Sequence, residues 1–173
     1  IAAGKASIVT DRIAGFDARG IQLESSERID CDVVITATGF DMSVMGEIPF
    51  SVDGKPVDFA QTVTYRGMMF TGVPNMAWIY GYGHYSWTLR VDLIGQFVCR
   101  LLRHMKEAKA RSVVPALRPE DQGMELKPWA DTDYLNPGYL LRSLDRLPRS
   151  GDQPEWQHSQ DYFYESEAIP AID

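Results

Sequence analysis

The stretch from Gly81 to Ser86 reads GYGHYS and combines two glycines, a histidine and a hydroxyl side chain just before an apolar segment. Its spacing nearly matches the G-x-G-x-x-G fingerprint of dinucleotide-binding loops, but Ser86 stands where the third glycine belongs. That glycine allows a helix to pack closely on a strand, and no acidic residue closes a following strand to hold a ribose. The stretch therefore favours a turn that offers backbone amides to a ligand over a complete phosphate-binding loop.

His84 is the side chain of this turn that can exchange a proton near neutral pH. A nucleophilic triad of His84, Ser86 and Asp92 would be expected on a G-x-S-x-G elbow, and the sequence has none. The other histidines, His104 and His158, are too scattered to complete the three or four ligands of a metal site. We therefore interpret His84 as a turn residue beside a ligand or as a plain surface residue, and we predict no metal.

A second stretch, Ala37-Thr38-Gly39, follows a run of apolar β-branched residues at 33–35. None of its three side chains is suited to act as an acid, a base or a nucleophile. Small residues that end in glycine let the backbone come close to another group. The pattern indicates a place where backbone approaches something else.

The composition limits the classes of protein to consider. With 173 residues, of which 45% are hydrophobic and 11% aromatic, the chain can form one domain with a real core. No apolar run approaches the roughly 20 residues of a membrane span, and no signal peptide is visible. The chain does not start with Met, so we expect a piece of a longer protein.

Cysteine and charge usage narrow the choice further. Cys31 and Cys99 form no CxxC pair, which disfavours a disulfide framework or a zinc site and suits reduced thiols in the cytoplasm. Residues 1–117 carry 12 acidic and 12 basic side chains, whereas residues 118–173 carry 12 acidic and 5 basic ones. Since this acidic segment repels phosphates, we expect no nucleic-acid partner.

The elements that position the two stretches begin with a β-meander over the first 40 residues. Runs of apolar and β-branched residues predict strands at 6–10, 12–16, 20–24 and 28–36. The last is the longest, and its apolar run at 33–35 predicts a central strand covered on both faces. The meander would thus deliver a buried strand to Gly39.

A long helix follows an irregular segment. That segment has a hairpin-turn signal at 52–55, and two more strands are expected at 67–71 and 75–80. Apolar residues at alternating steps of four and three then predict a well-buried helix from 87 to about 108, with Ser86 as its N-cap. Its apolar stripe consists of Trp87, Val91, Ile94, Val98, Leu101 and Met105.

After a short strand expected at 113–114, the chain becomes rich in proline, acidic and aromatic residues. Asn136 and Pro137 predict the N-cap and first turn of a short helix. Its inward-facing residues would be Leu140, Leu141, Leu144 and Leu147. The aromatic residues of the segment are Trp129, Tyr134, Tyr139, Trp156, Tyr162, Phe163 and Tyr164. We interpret residues 113–173 as an arm that packs these aromatics onto the main body.

Three stretches together resemble a known family. They are DVVITATGF at 32–40, GVPNMAWIYGYGHYSWTLRVDLIGQFVCRLL at 72–102 and GYLLRSLDRLPRSGDQPEWQHSQDY at 138–162. In combination they resemble the C-terminal portion of the FAD- and NADPH-dependent class B flavoprotein monooxygenases, which include the flavin-containing and the Baeyer–Villiger monooxygenases. The tail is similar to that of the ethionamide-activating subgroup.

The resemblance implies an α/β fold, as the C-terminal fragment of a Rossmann-like flavoprotein with two dinucleotide-binding domains. Residues 1–40 would end the NADPH-binding domain, 41–112 would return into the FAD-binding domain, and 113–173 would form the arm. Thr38 and Gly39 would lie at the crossover between the domains and close to a cofactor. The two dinucleotide fingerprints and the catalytic residues would lie upstream of Ile1, so no catalytic residue is assigned within the chain.

The same resemblance implies a flavin-facing site, because the family places the N-terminus of the long helix under the pyrimidine edge of the flavin ring. The implied cofactor contacts are Gly81, Gly83, His84, Tyr85, Ser86 and Trp87. The implied cofactors are FAD and NADPH, and the implied reactants are O2 and a small organic substrate. The reaction would be Baeyer–Villiger oxidation of a ketone or oxygenation of a soft sulfur or nitrogen atom. The sequence is compatible with a monomer or an oligomer.

Two other functions also remain open. Because it lacks both fingerprints, the chain alone could be a non-catalytic interaction module that binds no FAD. A relative of the pyridine nucleotide–disulfide reductases would share the Ala37-Thr38-Gly39 strand, but it would need a CxxC-type redox pair or an interface domain, and neither is recognised.

Overall fold

A computed structural model of the chain describes residues 1–133 and 136–172, so Tyr134 of the predicted arm lies outside the described residues. The chain separates into two compact units, residues 1–39 and residues 40–173. It combines short antiparallel sheets with a few helices, which confirms a mixed α/β composition. A Rossmann-like parallel sheet is not confirmed, because the strand pairs of the described chain run antiparallel and the parallel pairing is limited to one isolated bridge between Val63 and Arg149.

The first unit contains the predicted meander. Strands β1 (Ile13–Asp17), β2 (Gly20–Leu23) and β3 (Arg28–Asp30) pair antiparallel in chain order. The Asp17 carboxylate closes the first turn by accepting the backbone N–H groups of Arg19 at 2.8 Å and Gly20 at 3.2 Å. Gly20 has a φ of +148°, and a Cβ there would lie 2.1 Å from the Ile29 carbonyl oxygen, so this turn requires glycine.

Two strand predictions in this unit are wrong. Residues 6–10 are described but form no regular element, and the third strand ends at Asp30 instead of continuing to 36. Val33 and Ile35, which we expected to be covered on both faces, are 75% and 86% exposed. A buried strand needs neighbouring strands and covering layers. Among the described residues of this unit, the sheet has three strands, and residues 33–36 have neither a neighbouring strand nor a covering layer.

The second unit begins with short hairpins. Strand β4 (Ser51–Val52) pairs with β5 (Lys55–Pro56), β6 (Thr64–Tyr65) with β7 (Met69–Phe70), and β8 (Lys127–Pro128) with β9 (Arg149–Ser150). The predicted turn at 52–55 is confirmed, with Asp53 at a φ of +50° and Gly54 at +77°. Two successive left-handed residues are the geometry of a tight hairpin turn. Strand β7 covers only part of the strand predicted at 67–71.

The strands predicted at 75–80 and 113–114 do not form, although both segments are described. Instead, one residue of each segment pairs with the other. The Asn75 N–H donates to the Val113 carbonyl at 2.9 Å, and the Asn75 side-chain oxygen accepts the Val113 N–H at 3.0 Å. A side chain therefore takes the place of a second backbone group, and the pairing does not extend into a ladder.

Helix α1 (Trp87–Glu107) confirms the predicted helix to within a residue. Its expected deep burial is wrong: Ile94 is fully buried and Phe97 nearly so, but Trp87 is 52% and Val91 40% exposed. The helix therefore packs along one face and leaves the opposite face to solvent. Among the described residues, no helix is both long enough and apolar enough to cross a membrane.

Buried apolar side chains of the second unit form three clusters within the described chain. The first joins α1 to the β6–β7 hairpin and the end of the chain through Met68, Met69, Leu93, Ile94, Phe97 and Ile169. The second contains Phe59, Phe70 and Val73. The third contains Trp129, Leu140 and Leu147.

The segment interpreted as an arm is part of the second unit. Helix α2 (Gly138–Leu141) follows Pro137, and α3 (Tyr162–Ala168) lies near the end of the chain. Leu140 and Leu147 are buried as predicted, whereas Leu141 is 46% exposed because α2 has a single turn. Short 3-10 turns occur at Val44–Glu47, Phe59–Gln61, Pro119–Asp121, Leu144–Arg146 and Pro154–Trp156.

The aromatic residues of this segment divide between core and surface. Trp129 and Trp156 are each only 3% exposed, in agreement with the predicted packing onto the body. Phe163 and Tyr164 on α3 are 69% and 48% exposed and do not follow it. The difference reflects the short helix α3, which turns one face inward at Glu165 and the other to solvent.

Candidate functional site

The turn ahead of α1 runs from the buried residues Gly81 and Tyr82 to an exposed stretch at 83–88. Ser86 occupies the predicted N-cap position with extended backbone, at φ −62° and ψ 133°. Its hydroxyl pairs with the Thr88 hydroxyl at 2.7 Å and, within the described chain, caps no backbone amide. The first amides of a helix have no intrahelical acceptor, so those of Trp87 and Thr88 are open to an external one.

Gly81 is required by its packing against Trp87. A Cβ at this position would lie 2.2 Å from the Trp87 ring, so the indole lies directly on the Gly81 backbone. The Tyr80 and Trp87 rings are 5.0 Å apart between centroids, which extends the contact. The close approach folds the chain back onto the start of α1.

A buried ion pair fixes the base of the turn. Arg90, in the first turns of α1, is fully buried, and Glu165 on α3 is 3% exposed. The Arg90 Nε–H and Nη2–H groups donate to the two Glu165 oxygens at 2.8 Å and 3.0 Å. Arg90 also donates to the Tyr80 carbonyl at 2.8 Å and to the Arg66 carbonyl at 2.8 Å. It thereby ties α1, α3 and the segment entering the turn to one another.

Tyr82 joins the same network from within the turn. Its hydroxyl donates to Glu165 Oε2 at 2.6 Å. Burial, together with this hydrogen bond, raises the pKa of the Tyr82 phenol far above its usual range. The phenol therefore stays protonated and acts as a donor that orders the turn, and proton transfer is not part of its role.

A second chain of hydrogen bonds reaches the exposed part of the turn. The Gly83 N–H donates to Gln160 Oε1 at 2.7 Å, and Gln160 Nε2 lies 3.0 Å from His158 Nε2. Because the amide nitrogen can only donate, His158 Nε2 accepts and its proton is on Nδ1. The His158 ring stacks on Trp129 with centroids 4.2 Å apart and planes 16° apart.

His158 is held neutral by its surroundings. Burial, and then the nearby Arg90 charge, hold the pKa of His158 well below its usual range. The ring also lies against Gly67, where an added Cβ would come within 2.3 Å of it. His158 therefore serves as a neutral ring that accepts a hydrogen bond.

A cavity of about 220 Å³ opens beside the turn. Its walls are mostly apolar, and His84 contributes to them from the turn itself. The other main contributors are Tyr80, Trp129, Leu140, His158 and Gln160. The exposed turn and this cavity together form the candidate site.

Six of the residues predicted for the site lie in the turn, as their adjacency in the sequence requires. Gly81, Gly83, His84, Tyr85, Ser86 and Trp87 are contiguous in the turn. The centroid of the Tyr85 ring lies 5.7 Å from that of Tyr82 and 6.3 Å from that of Phe163. Thr38 and Gly39 belong to the other compact unit, where Gly39 has a φ of +100° that favours glycine.

Sequence reasoning missed the residues that hold the turn in place, namely Arg90, Glu165, Gln160 and His158. One signal was present: Arg90 interrupts the apolar face of α1, and a charge in that position requires a partner. The described residues contain no group of three or more His, Cys, Asp and Glu side chains that could hold a metal.

Comparison with known proteins places the chain beside flavoenzymes. It is 43% identical over 169 residues to the FAD-containing monooxygenase EthA of Mycolicibacterium smegmatis, covering 98% of the chain and 33% of the relative. It is 42% identical over 160 residues to EthA of Mycobacterium tuberculosis, covering 92% and 32%. It is 38% identical over 164 residues to the probable FAD-binding monooxygenase AlmA of an Acinetobacter species, covering 92% and 31%.

These matches confirm the resemblance deduced from the sequence. The chain spans about a third of the length of the curated relatives it matches. No protein-family model and no solved structure matches it.

Proposed function

We infer that the chain is one part of an FAD-containing monooxygenase. Almost the whole chain matches about a third of the length of several such enzymes. The complete protein would use NADPH, FAD and O2 to oxygenate a ketone or a soft heteroatom of a small organic substrate. The observation that carries this proposal is the extent of the match, which includes the turn, α1 and the C-terminal segment.

The turn suits the edge of a flavin ring. It is exposed from 83 to 88 and leads into a 21-residue helix. The Ser86 side chain caps neither of the first two amides of this helix, at Trp87 and Thr88. Such a helix start is equivalent to about half a positive charge. The pyrimidine edge of a flavin carries hydrogen-bond acceptors and gains negative charge on reduction, so this end of the helix would favour the reduced ring. Bound FAD would itself supply the electron transfer and the activation of oxygen.

The residues of the turn would take different parts in this contact. We assign the ring-edge contacts to the backbone of Ser86, Trp87 and Thr88 and to the side chains of His84 and Tyr85. Gly81 and Gly83 would shape the turn, since Gly81 receives the Trp87 ring and the Gly83 amide is held by Gln160. Thr38 and Gly39 enter the proposal only through the resemblance, as a crossover near a cofactor.

The buried ion pair gives the turn the rigidity that this role needs. Arg90 holds the Tyr80 carbonyl at one end of the turn, and Glu165 holds the Tyr82 hydroxyl within it. Donors that are fixed before the reaction stabilise developing charge without the cost of reorientation. The network would therefore keep the amides aligned through reduction and reoxidation of the ring.

The full-length protein tests the proposal. We expect it to purify with a bound yellow flavin and to consume O2 in an NADPH-dependent manner. Thr88→Pro removes a first-turn amide that has no intrahelical acceptor, at the second position of α1. The loss of about 1 kcal/mol of charge stabilisation should make the two-electron flavin potential about 20 mV more negative.

Thr88→Ala is the matched control, because it keeps the amide and removes only the hydroxyl that pairs with Ser86. Its potential should equal that of the parent. A colourless protein that ignores NADPH would reject the function. A yellow, active protein with unchanged potential in Thr88→Pro would reject only the role of the turn.

A further inference from the structure

We propose that Gln160 is a positioning residue of the turn ahead of α1, and that protonation of His158 releases the turn by reversing the Gln160 side-chain amide. Gly83, Gln160 and His158 form a relay of two hydrogen bonds. The proposal rests on the proposed function in one respect, because release of the turn affects a flavin only if the turn faces one. The relay would make the position of this wall of the site depend on pH.

The direction of the relay is fixed at its Gly83 end. A backbone N–H can only donate, so the Gln160 atom that lies 2.7 Å from the Gly83 nitrogen must be the carbonyl oxygen. The amide nitrogen of Gln160 then faces His158 Nε2, at 3.0 Å. Since this nitrogen also can only donate, both hydrogen bonds exist together only while His158 Nε2 carries no proton.

Protonation of His158 makes the two hydrogen bonds of the relay incompatible. Both nitrogens of an imidazolium ring are donors, so the His158 Nε2–H would face the NH2 group of Gln160. Rotation of the amide by half a turn offers the Gln160 oxygen to His158 and points the NH2 group at the Gly83 N–H. A hydrogen bond from a charged donor is the stronger of the two, so the amide reverses and Gly83 loses its acceptor.

The Gln160 amide has room to reverse, whereas the His158 ring is held in place. Gln160 lines the cavity of about 220 Å³ beside the turn, so its side chain borders open space. Its further hydrogen bond, from Nε2 to the Ser159 carbonyl, is long at 3.5 Å. The His158 ring stacks on the Trp129 ring at 4.2 Å between centroids and lies against Gly67. The amide is therefore the part of the relay that moves.

The surroundings of His158 keep the relay intact at neutral pH. Burial, and then the Arg90 charge on α1, hold the pKa of His158 well below its usual range, and a hydrogen bond with the Trp129 backbone acts in the opposite direction. The other titratable groups packed around the ring or against Arg90 are Tyr80, Tyr82, His84, Asp131 and Glu165. Reversal of the Gln160 amide gives the charged ring an acceptor, so a falling pH favours the reversed state.

Hydrogen exchange of the full-length protein tests the relay without reference to the flavin. The measured quantity is the protection of the peptide that contains residues 81–86, corrected for the intrinsic pH dependence of amide exchange. We expect this protection to fall about fivefold from pH 7.5 to pH 5, which is the net worth of about one hydrogen bond. Protection of the turn that does not change with pH would overturn the proposal.

Two substitutions of Gln160 separate the relay from a general loss of stability in acid. Gln160→Glu offers one oxygen to the Gly83 N–H and the other to protonated His158, so the turn should stay protected at both pH values. Gln160→Met is of similar length and removes the amide, so protection should be about fivefold lower already at pH 7.5 and change little on acidification. The pH response of the parent in both variants would contradict the relay.

Histidine variants identify the group that takes up the proton. His158→Gln keeps an acceptor for the Gln160 amide and cannot be protonated, so the turn should stay protected at pH 5. His104→Gln is the matched control, because His104 is exposed on α1, and it should keep the response of the parent. Loss of the response in His84→Gln but not in His158→Gln would assign the proton to the turn itself and overturn the proposal.

The rate of FAD release distinguishes failure of the relay from failure of the proposed function. If the turn faces the flavin, the full-length protein should release FAD faster at pH 5 than at pH 7.5, and Gln160→Glu should remove the difference. A pH response of turn protection without any change in FAD release would support the relay and reject the flavin-facing role of the turn. NADPH-dependent oxygen uptake by a protein whose turn ignores pH would keep the function and reject the relay.

Discussion

At the scale of single residues, Arg90 is a buried charge whose desolvation is offset by complete pairing. Its guanidinium makes four hydrogen bonds of 2.8 to 3.0 Å, two of them to Glu165. Both partners lie in the interior, so water cannot replace a lost contact. The pair therefore matters most when one partner is removed.

Glu165→Gln should consequently lower the free energy of unfolding by about 3–5 kcal/mol, because it leaves the Arg90 charge buried and uncompensated. Urea unfolding measures the loss. Asp41→Asn is the control, since Asp41 is 82% exposed and 3.7 Å from Arg142. Exposed pairs contribute about 0–1 kcal/mol. Similar losses of unfolding free energy in the two variants would show that the buried Arg90–Glu165 pair stabilises the protein no more than an exposed pair does.

His158 predicts a pH dependence of stability. Burial and the Arg90 charge hold the pKa of His158 below its usual range. As the pH falls, the unfolded chain therefore binds a proton at His158 before the folded chain does. Stability should therefore fall as the pH drops below about 6.5, by up to about 1.4 kcal/mol per pH unit. Urea unfolding between pH 7.5 and 5 measures the slope.

Replacement of histidines identifies the group responsible. His158→Gln should flatten that slope, and His104→Gln, at an exposed position of α1, should keep it. Asp121 is not expected to contribute in this window, because Arg118 lowers its pKa to about 2 from an already acidic value. A slope that survives in His158→Gln would assign the effect to another group.

The sequence marks the position of Arg90 but not its partner. Arg90 precedes Leu93 and Ile94 by three and four residues and so falls on the apolar face of α1. Glu165 is 75 residues away, and no local pattern connects the two. For the same reason the role of His158 was missed: its contacts with Trp129 and Gly67 are made by tertiary packing.

At the scale of elements, helix α1 could be predicted because its periodicity is local, and its burial could not because burial depends on neighbours. The apolar stripe places the helix at Trp87–Glu107. One face of it, from Arg90 to about Leu101, meets the hairpin and the end of the chain, whereas Trp87 and Val91 of the predicted stripe are exposed. The run at 33–35 illustrates the same limit, since its apolar residues indicate a buried strand only where other strands flank it.

Two glycines near the same helix should respond in opposite directions to alanine. Gly81→Ala would place a Cβ 2.2 Å from the Trp87 ring and should cost about 1–3 kcal/mol while displacing the turn. Gly95→Ala, in the middle of α1 with open space around it, should stabilise by about 0.5–1 kcal/mol. Thermal unfolding measures both effects.

A readout of the cofactor separates displacement of the turn from loss of stability. In the full-length protein the visible flavin spectrum should change in Gly81→Ala and stay as in the parent in Gly95→Ala. An unchanged spectrum in Gly81→Ala, together with lower stability, would contradict the proposed contact between the turn and the flavin.

At the scale of the whole molecule, the two compact units differ in how much core they contain. The clusters of buried apolar side chains lie in residues 40–173 of the described chain. Among the described residues 1–39, Leu23 is the apolar side chain that is buried, at 6% exposure. A three-stranded meander with so small a core is marginal without a packing partner.

Residues 40–173 should therefore fold by themselves, and residues 1–39 should not. We expect the longer piece to unfold cooperatively in urea and to give a dispersed amide NMR spectrum, because it keeps the three clusters and the Arg90–Glu165 pair. The 39-residue piece should give narrow amide dispersion, since its short strands bury too little apolar surface to offset chain entropy. The intact chain should then show the cooperative transition of the longer piece. Loss of that transition when residues 1–39 are removed would mean that the core of the second unit depends on the first, and the division into two units would be wrong.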